Sequence, residues 1–291
     1  MAKSPQHKTG LNIRQMRRDE LNTLIEWAAA EGWNPGLSDA DIFWATDPES
    51  FIAAELAGQL IGGGSIVNYA GKYGFMGFFI VHPAHRSRGL GKQLWDERLR
   101  RLINRLDKPV MIGMDGVFDM QAFYAKGGFE FAARDLRFEG RGKLLPVAQG
   151  IVELSDVPFA SIYSYDQAHF PAPRPVFLKQ WINQTGVFAK AALRNNELIG
   201  YAMMRPCRIG YKIGPLFAKN AVVANDLFCA LSAQIPGETI FLDVPENNPA
   251  AIALAKQHNM AEVFGCAKMY YGSKPELPEQ EIFGVTSFEF G

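Results

Sequence analysis

Residues 86–92 are the segment whose residue types are best suited to bind a ligand, and they read Arg86-Ser87-Arg88-Gly89-Leu90-Gly91-Lys92. An apolar run, residues 75–81, precedes them and a long amphipathic segment follows, which predicts a strand, a glycine-rich turn and a helix. The first N–H groups of a helix lack partners within it and lie at its positive end, where they bind phosphate. The two glycines have no Cβ and would let an anion approach the backbone, and the three basic side chains add positive charge.

The spacing of the glycines distinguishes this turn from other phosphate-binding motifs. No Gly-Lys-Ser/Thr follows a glycine loop as in a P-loop, and Leu94 occupies the third glycine position of a dinucleotide-binding fingerprint. Arg86-x-x-Gly89-x-Gly91 instead resembles the pyrophosphate-binding signature of the GCN5-related N-acetyltransferase (GNAT) superfamily. The resemblance implies acetyl-CoA as the cofactor, with its diphosphate bound by this turn. The backbone groups implied to bind its pantetheine arm, as an extra strand, are those of Phe79, Ile80 and Val81.

A tyrosine further along the chain extends the resemblance. Tyr124-Ala-Lys-Gly-Gly128-Phe129 matches half of a family pattern, Asn-x-x-Ala…Tyr-x-x-x-Gly-Phe, whereas Val117 stands where the asparagine would be. The resemblance implies that the Tyr124 hydroxyl is the general acid that protonates the departing CoA thiolate. A phenol with a pKa of about 10 is close to a thiol in acidity, so this transfer is chemically reasonable. The alternative is a tyrosine that only packs on an amphipathic helix.

The sequence does not single out a general base. Three carboxylates are candidates: Glu31, Asp115 and Asp119. Asp115 is expected to end a strand beside the cleft, but Asp243 ends the matching strand of the second half, and this shared position favours a structural role. His82 and His85 flank the phosphate turn, where a solvated or phosphate-near histidine is expected rather than a base.

The segment from Glu31 to Gly36 joins the first two predicted helices. In the family that this chain resembles, this connection borders the acceptor pocket. Trp33 would supply an aromatic wall and Asn34 an orienting hydrogen bond to the substrate. The alternative is a helix that ends at Gly32 and is followed by a tight turn.

Hydrophobic periodicity predicts the same order of elements twice along the chain. Each half begins with a strand and helices, continues with a hairpin, and ends with strands that alternate with helices. The hairpin turns lie near positions 58 and 195, about 137 residues apart, which indicates a duplicated domain. We predict an α/β (α+β) protein of two tandem GNAT folds, each a mixed, mostly antiparallel sheet flanked by helices. The predicted domains are residues 1–143, the catalytic one, and residues 150–291, a degenerate copy.

The second half lacks the residues that would carry the chemistry. Val222 and Ala224 stand where the first half has its two turn glycines, and both arginines are missing. Asn248 is retained, but Ala255 occupies the position of the tyrosine. We therefore predict one site per chain, in the first half, with the second half as its wall. This organisation, together with the tail from 283 to 291, resembles a bacterial tandem-domain subgroup of the superfamily, the YitH-like acetyltransferases.

Composition limits the remaining functional classes. The 291 residues are 48% hydrophobic and 21% charged, with a formal net charge of zero, which argues against a nucleic-acid or membrane-surface binder. The three cysteines are scattered without metal-ligand spacing and suggest a reducing, cytoplasmic environment, and no metal site is predicted. The N-terminal residues have no apolar core, so no signal peptide is expected.

Taken together, the resemblance implies an N-acetyltransferase that moves an acetyl group from acetyl-CoA to a primary amine by direct attack. A small-molecule amine is the expected acceptor. Two alternatives stay open, namely a non-catalytic acyl-CoA-binding sensor and an enzyme that acetylates lysines or N-termini of proteins or peptides. The sequence identifies neither the acceptor nor the oligomeric state.

Overall fold

The computed structural model describes residues 10–291. Residues 1–9 lie outside this part of the chain; they include the start of the predicted first domain and the segment expected to contain no signal peptide. Among residues 10–291, no helix has both the length and the apolar character needed to cross a membrane.

The first half of the chain forms strands and helices in the predicted order. Its strands are β1 (Leu11–Gln15), β2 (Phe51–Leu56), β3 (Gln59–Tyr69), β4 (Tyr73–Val81), β5 (Met111–Val117) and β6 (Glu130–Arg141). Its helices are α1 (Arg18–Ala30), α2 (Asp39–Thr46), α3 (Leu90–Asn104) and α4 (Gln121–Lys126). Strand β5 continues to Val117, so Asp115 lies within the strand instead of at its end.

The second half repeats this order and adds one short strand. Its strands are β7 (Ile151–Glu153), β8 (Phe188–Arg194), β9 (Glu197–Pro206), β10 (Tyr211–Ala218), β11 (Thr239–Pro245), β12 (Ala261–Gly272) and β13 (Ile282–Gly284). Its helices are α5 (Phe159–His169), α6 (Pro175–Trp181), α7 (Ala221–Ser232) and α8 (Pro249–Gln257). The predicted fold class, mixed and mostly antiparallel β-structure flanked by helices with the same order of elements in both halves, is confirmed.

The strands of both halves join into one continuous sheet. Their order within the described chain is β1-β2-β3-β4-β5-β12-β6-β11-β10-β9-β8-β7, and β13 pairs with β10. Only the pairs β4–β5 and β10–β11 are parallel. The two halves are thus joined through backbone hydrogen bonds as well as through side chains.

Strands β6 and β12, one from each half, pair with strands of the other half. Strand β12 lies beside β5, with Lys268 opposite Asp115. Strand β6 lies beside β11, with Arg137 opposite Asp243. The predicted boundaries, 1–143 and 150–291, separate the two runs of elements along the chain. In the sheet, however, β12 of the second half lies between β5 and β6 of the first half, and β6 pairs with β11 of the second half. Strands β6 and β12 each carry a cation to a buried aspartate of the other half.

An aromatic cluster packs the two halves together. The ring of Phe43 in α2 lies 4.2 Å from Phe290 and 5.8 Å from Trp181 of α6, measured between ring centroids. All three side chains are fully buried. Burial of a large apolar side chain contributes about 1.5–3 kcal/mol, so this cluster fixes the relative position of the halves.

The C-terminal tail, residues 285–291, lies against strand β4. Ser287 Oγ accepts hydrogen bonds from the backbone N–H groups of Glu289 and Phe290, each of 3.0 Å. Tyr69 donates its hydroxyl to the Phe290 carbonyl at 2.7 Å. A Cβ on Gly77 would lie only 2.0 Å from the Glu289 carbonyl oxygen, so this close approach requires a glycine in β4.

Candidate active site

Strands β4 and β5 run side by side for only a short distance and then separate. Their register pairs Gly74 with Ile112 and Phe75 with Gly113, and no further pair forms between these two strands. The other edge of β4 stays paired with β3 as far as Val81. One backbone edge is therefore open toward the gap at the predicted pantetheine-binding residues Phe79, Ile80 and Val81.

A β-bulge in β4 accompanies this separation. Between Gly77 and Ile80 the register shifts, and β4 has one residue more than the facing segment of β3. Phe78 takes a positive φ of 49° within this segment. Because a bulky residue is strained in this conformation, the surrounding structure must hold it there.

Arg98 of helix α3 hydrogen-bonds the backbone carbonyl groups at the bulge. Its Nη2 donates hydrogen bonds to the carbonyl oxygens of Ser65 (2.5 Å) and Gly77 (2.6 Å), and its side chain is fully buried. A Cβ on Gly64 would lie 2.4 Å from the Arg98 Cζ, so the glycine makes room for the guanidinium. Burial lowers the pKa of Arg98 to about 9. The sequence analysis missed this residue.

The predicted phosphate turn has backbone N–H groups that lack a hydrogen-bond partner among residues 10–291. Gly89 is the N-cap of α3, with a φ of 76°, and no side chain caps the helix. Within residues 10–291, the N–H groups of Ser87, Arg88 and Gly89 make no hydrogen bond. The Leu90 side chain is buried and anchors the helix start. The turn therefore fits the diphosphate of an acyl-CoA, which would accept these hydrogen bonds.

The basic residues of the turn are exposed, and each has a partner. Arg86 donates from Nε to the Val81 carbonyl at 2.8 Å and forms an ion pair with Glu31. This ion pair links two elements at the edge of the cavity described below. It also engages the Glu31 carboxylate, one of the candidate bases, with a cation.

Two further basic residues lie on the same turn and the first turn of α3. Arg88 Nη1 is 3.2 Å from His85 Nδ1, and Lys92 Nζ pairs with Asp96 Oδ2 at 2.5 Å. The His82 ring packs 5.6 Å from Trp27 and 6.1 Å from His85, centroid to centroid. Both histidines thus border the turn and lie among aromatic and basic neighbours.

Tyr124 lies beyond the open edge of β4, on helix α4. Its ring packs 5.1 Å from the ring of Trp95, and a Cβ on Gly116 would lie 2.2 Å from its Cε2. The absence of a side chain at Gly116 therefore leaves room for the Tyr124 ring. Burial raises the pKa of Tyr124 above its usual value, while the positive charge of Arg98 opposes the increase.

One cavity of about 490 Å³ connects these parts. It extends from the phosphate turn along the open edge of β4 to Tyr124 and onward to the second half. Its charged lining residues are Glu31, Arg86, Asp115, Asp119, Arg137 and Glu289. Its aromatic lining residues are Trp33, Phe78, Phe79, Trp95, Tyr124, Phe264 and Phe288.

Asp115 belongs to a buried ion cluster in the floor of the cavity. Its Oδ1 lies 3.7 Å from Lys268 Nζ, which is 2.6 Å from Asp135 Oδ2. Burial raises the pKa of Asp115 well above its usual value, and the Lys268 ammonium opposes this shift. This position corresponds to Asp243 of the second half, which pairs with Arg137 of strand β6. A structural role is therefore favoured over binding of substrate. Asp119 is exposed at the edge of the cavity.

The predicted substrate loop is attached to the second half. The Asn34 amide donates to the Ile209 carbonyl and accepts from the Ile209 N–H, at 2.9 Å each. Both amide groups are thus used, and Asn34 does not line the cavity, in contrast to the prediction that it would bind substrate. Trp33 does line it, and its carbonyl accepts a hydrogen bond of 2.9 Å from Arg137.

In the second half, backbone N–H groups at the corresponding helix start are hydrogen-bonded by a capping side chain. Asn220 is the N-cap of α7, and its Oδ1 accepts hydrogen bonds from the N–H groups of Val222 and Val223, at 3.1 Å each. Ala224, at the position of the second turn glycine, is fully buried, and so is Ala255 at the position of the tyrosine. The donors that would bind a phosphate are therefore satisfied by the protein itself.

The gap between β10 and β11 is also filled. Strand β13 pairs antiparallel with β10, with Leu216 opposite Gly284 and Phe217 opposite Ile282. The register shifts in β4 and β10 align Leu216 and Phe217 with Ile80 and Val81 of the first half. A segment of the chain thus occupies the place where a pantetheine arm would pair in the second half.

Glu289 lines the cavity and, like Arg98, was not predicted from the sequence. It comes from the far end of the chain and reaches the cavity of the first half through the path of the tail. A carboxylate between two aromatic residues, Phe288 and Phe290, was the only signal in the sequence. Among residues 10–291 no cluster of histidine, cysteine and acidic side chains could hold a metal ion.

Comparison with known families and proteins gives matches to both halves. A description of the acetyltransferase (GNAT) family matches residues 16–129, and one of an acetyltransferase (GNAT) domain matches residues 162–284. An acetyltransferase of Sodalis glossinidius is 32% identical over 100 residues, which are 33% of this chain and 69% of that protein.

Two further proteins resemble the chain over nearly its whole length. The holothin acyltransferase of a Pseudoalteromonas species is 28% identical over 275 residues, 94% of this chain and 92% of that protein. A crystal structure from Pyrococcus horikoshii has a TM-score of 0.83 at 23% identity and covers 100% of this chain and 99% of that one. The tandem fold therefore occurs in other proteins of the same length.

Proposed function

Because this chain belongs to the GNAT acetyltransferase family, whose members use acyl-CoA, we propose that it is an N-acetyltransferase with acetyl-CoA as donor and a primary amine as acceptor. The observation that carries the proposal is the continuity of the cavity. It joins an uncapped helix start, an open strand edge and a buried tyrosine in the order that a diphosphate, a pantetheine arm and a thioester require.

The residues of this chain have distinct roles in the proposed reaction. The turn of residues 86–92 binds the diphosphate, and the open edge at Phe79 to Val81 positions the thioester. The acceptor nitrogen attacks the thioester carbon, so that a C–N bond forms as the C–S bond breaks. Tyr124 gives its phenolic proton to the departing sulfur. Burial keeps the pKa of Tyr124 high enough for the phenol to be protonated at neutral pH, as a general acid must be.

The wall from the second half favours a small-molecule acceptor. Phe264 and Phe288 of the second half face the cavity together with Trp33 of the first half, and their rings make this part of the wall apolar. The relative from Pseudoalteromonas, which has the same tandem length, is named for acyl transfer to holothin. We infer that this chain also acts on a small molecule, of a class considered in the next section.

The test is turnover on a panel of acceptors. The protein is mixed with acetyl-CoA and either primary amines or lysine-containing peptides, and the free CoA thiol and the acetylated product are measured. We expect amine-dependent release of thiol in equal amount to acetylated amine. Binding of acetyl-CoA without any turnover would instead indicate a sensor, and turnover on peptides alone would indicate a protein-modifying enzyme.

A further inference from the structure

Of the four carboxylates that line the cavity, one has no cationic partner and is buried. Glu31 pairs with Arg86, Asp115 lies in the cluster with Lys268, and Asp119 is exposed. Glu289 is only 3% exposed, and no cationic side chain among residues 10–291 lies within 4.0 Å of its carboxylate.

The hydrogen bonds of Glu289 leave most of its carboxylate unused. Oε2 accepts one bond, from Ser287 Oγ at 2.9 Å, and a carboxylate can accept about four. Burial of a carboxylate without a cation or full hydrogen bonding costs several kcal/mol. A site with this unsatisfied negative charge, at the wall of a ligand cavity, is suited to bind a cation.

The charged groups around Glu289 are all engaged with other partners. Those that interact with it electrostatically are Arg137, Arg205 and Asp115. Arg137 forms two hydrogen bonds with Asp243, of 2.6 and 2.7 Å, and Arg205 Nε donates to Asp39 at 2.9 Å. Asp115 is countered by Lys268. Neither arginine therefore forms an ion pair with the Glu289 carboxylate, which lines the cavity where a cationic ligand could bind it.

The remaining wall of this part of the cavity is aromatic. The rings of Trp33 and Phe78 are 6.5 Å apart, and those of Phe264 and Phe288 are 6.3 Å apart, centroid to centroid. Flat apolar groups pack well against such rings, and a single carboxylate suits a single positive charge. This surface fits a monoamine on a planar, apolar body better than a polyamine or an amino sugar.

The tail holds Glu289 in a defined position. Ser287 hydrogen-bonds both the backbone and the side chain of Glu289, and the tail contacts β4 at Gly77, inside the bulge. The carboxylate is thus attached to the same strand segment that carries the open edge for the thioester. A base must lie close to the reacting nitrogen, and the backbone of Glu289 is fixed beside the strand segment where the thioester would lie.

We propose that Glu289 binds the ammonium group of an aromatic or similarly flat monoamine and takes its proton before the attack. This inference rests on the proposed function and names its substrate class and base. The ammonium loses one proton to the carboxylate, and the neutral amine attacks the thioester carbon. Tyr124 protonates the sulfur, and the second proton lost by the nitrogen replaces the one that Tyr124 gave. The proton on Glu289 then leaves to solvent, so that one proton is released per turnover.

The first test compares Glu289→Gln with the wild type, using acetyl-CoA and phenethylamine as the probe. At pH 7 we expect kcat/KM to fall by about 10²-fold or more, as for loss of a general base. The deficit should shrink as the pH approaches the amine pKa, because free amine then needs no base. Glu276→Gln is the control, since it removes the same charge from an exposed position in the C-terminal segment. It should leave kcat/KM unchanged.

A second measurement does not depend on a variant that folds. Phenethylamine and phenethyl alcohol are titrated into the wild-type protein in the presence of CoA at pH 7, and the amine should bind at least about 10-fold more tightly because it carries the charge. Equal affinity would overturn the proposal. So would a Glu289→Gln deficit that is absent or is the same at every pH, if wild-type turnover is intact. Absence of wild-type turnover on every amine would instead count against the proposed function.

Discussion

Arg98 Nη2 donates a hydrogen bond of 2.6 Å to the carbonyl oxygen of Gly77, and this bond connects the two parts of the proposed cofactor site. Arg98 belongs to the helix whose first residues form the phosphate turn. Gly77 begins the bulge from which the open strand edge follows. The distance between the proposed subsites for the diphosphate and for the thioester therefore depends on a buried contact.

Replacement of Arg98 by Met should weaken both stability and cofactor binding. The carbonyls of Ser65 and Gly77 would lose a charged donor, at a cost of about 1.5–3 kcal/mol for each such bond, and the bulge would relax. Urea unfolding and calorimetric titration of CoA measure the two effects. Arg100→Met is the control, because Arg100 is exposed and its only ion-pair partner within residues 10–291 is Glu97. Unchanged CoA affinity in Arg98→Met would show that the bulge does not depend on this contact.

Replacement of Tyr124 by Phe should lower kcat by about 10²-fold and leave the Kd for CoA nearly unchanged. Because burial raises the pKa of Tyr124, the phenol stays protonated well into alkaline solution. The wild-type kcat should therefore show no decline up to about pH 10 from loss of this proton. Stopped-time assays of thiol release across this range test both points. A kcat that matches wild type at every pH would remove Tyr124 from the role.

The buried pair of Arg137 and Asp243 should stabilise the protein in a pH-dependent way. Burial alone would raise the pKa of Asp243, but the Arg137 guanidinium holds it below its usual value. The stabilisation is thus present above the unfolded pKa of about 3.9 and is lost as the pH falls through the folded value. Arg137→Met should cost about 3–5 kcal/mol at pH 7.

This cost should become smaller as the pH falls, because without Arg137 burial raises the pKa of Asp243 in the folded variant, and the carboxyl is then protonated and no longer a buried unpaired charge. Urea unfolding of both proteins at pH 7 and at the lowest pH where each stays folded gives the comparison. A cost that is the same at both pH values would mean that packing of Arg137 on Phe264 and Phe288, and not its charge, supplies the stabilisation.

Removal of the cap on α7 should not create a second cofactor site. Asn220→Ala should lower the free energy of unfolding by about 1 kcal/mol, since two backbone N–H groups lose their acceptor. Strand β13 still occupies the gap beside β10, so the number of CoA molecules bound per chain should stay at one. A second binding event in calorimetry would show that the cap alone closes the second half.

The features that local sequence patterns determine were predictable. The glycine turn, the helix after it and Tyr124 are each contained in a short segment, and their residue types limit the backbone directly. The prediction that the second half lacks a cofactor site followed from Val222, Ala224 and Ala255, because a missing glycine or tyrosine is visible at one position. The order of helices and strands also followed from periodicity. The predicted elements differ from those in the structure mainly at strand ends, such as Val117 in β5.

The features that depend on distant contacts were not predictable. Strands β6 and β12 have similar patterns, so nothing in either one indicates that it pairs with the sheet of the other half. Arg98 lies in the apolar stripe of α3 with Leu94, Trp95 and Leu102, and its partners are backbone carbonyls that carry no sequence signal. Glu289 reaches the cavity only because the tail crosses β4 at Gly77, a path that no local pattern specifies.

The most direct test of the whole arrangement is the stoichiometry of CoA binding by calorimetry, for wild type and a matched pair of variants. We predict one CoA per chain in wild type. Gly91→Glu should weaken binding by about 10²-fold or more, because its carboxylate would face the diphosphate at the helix start. Val222→Glu places the same charge at the corresponding helix start of the second half, at the 68% exposed position that matches the other turn glycine, Gly89, and should leave binding unchanged. Two molecules bound per chain, or loss of binding in Val222→Glu but not in Gly91→Glu, would contradict a single site in the first half.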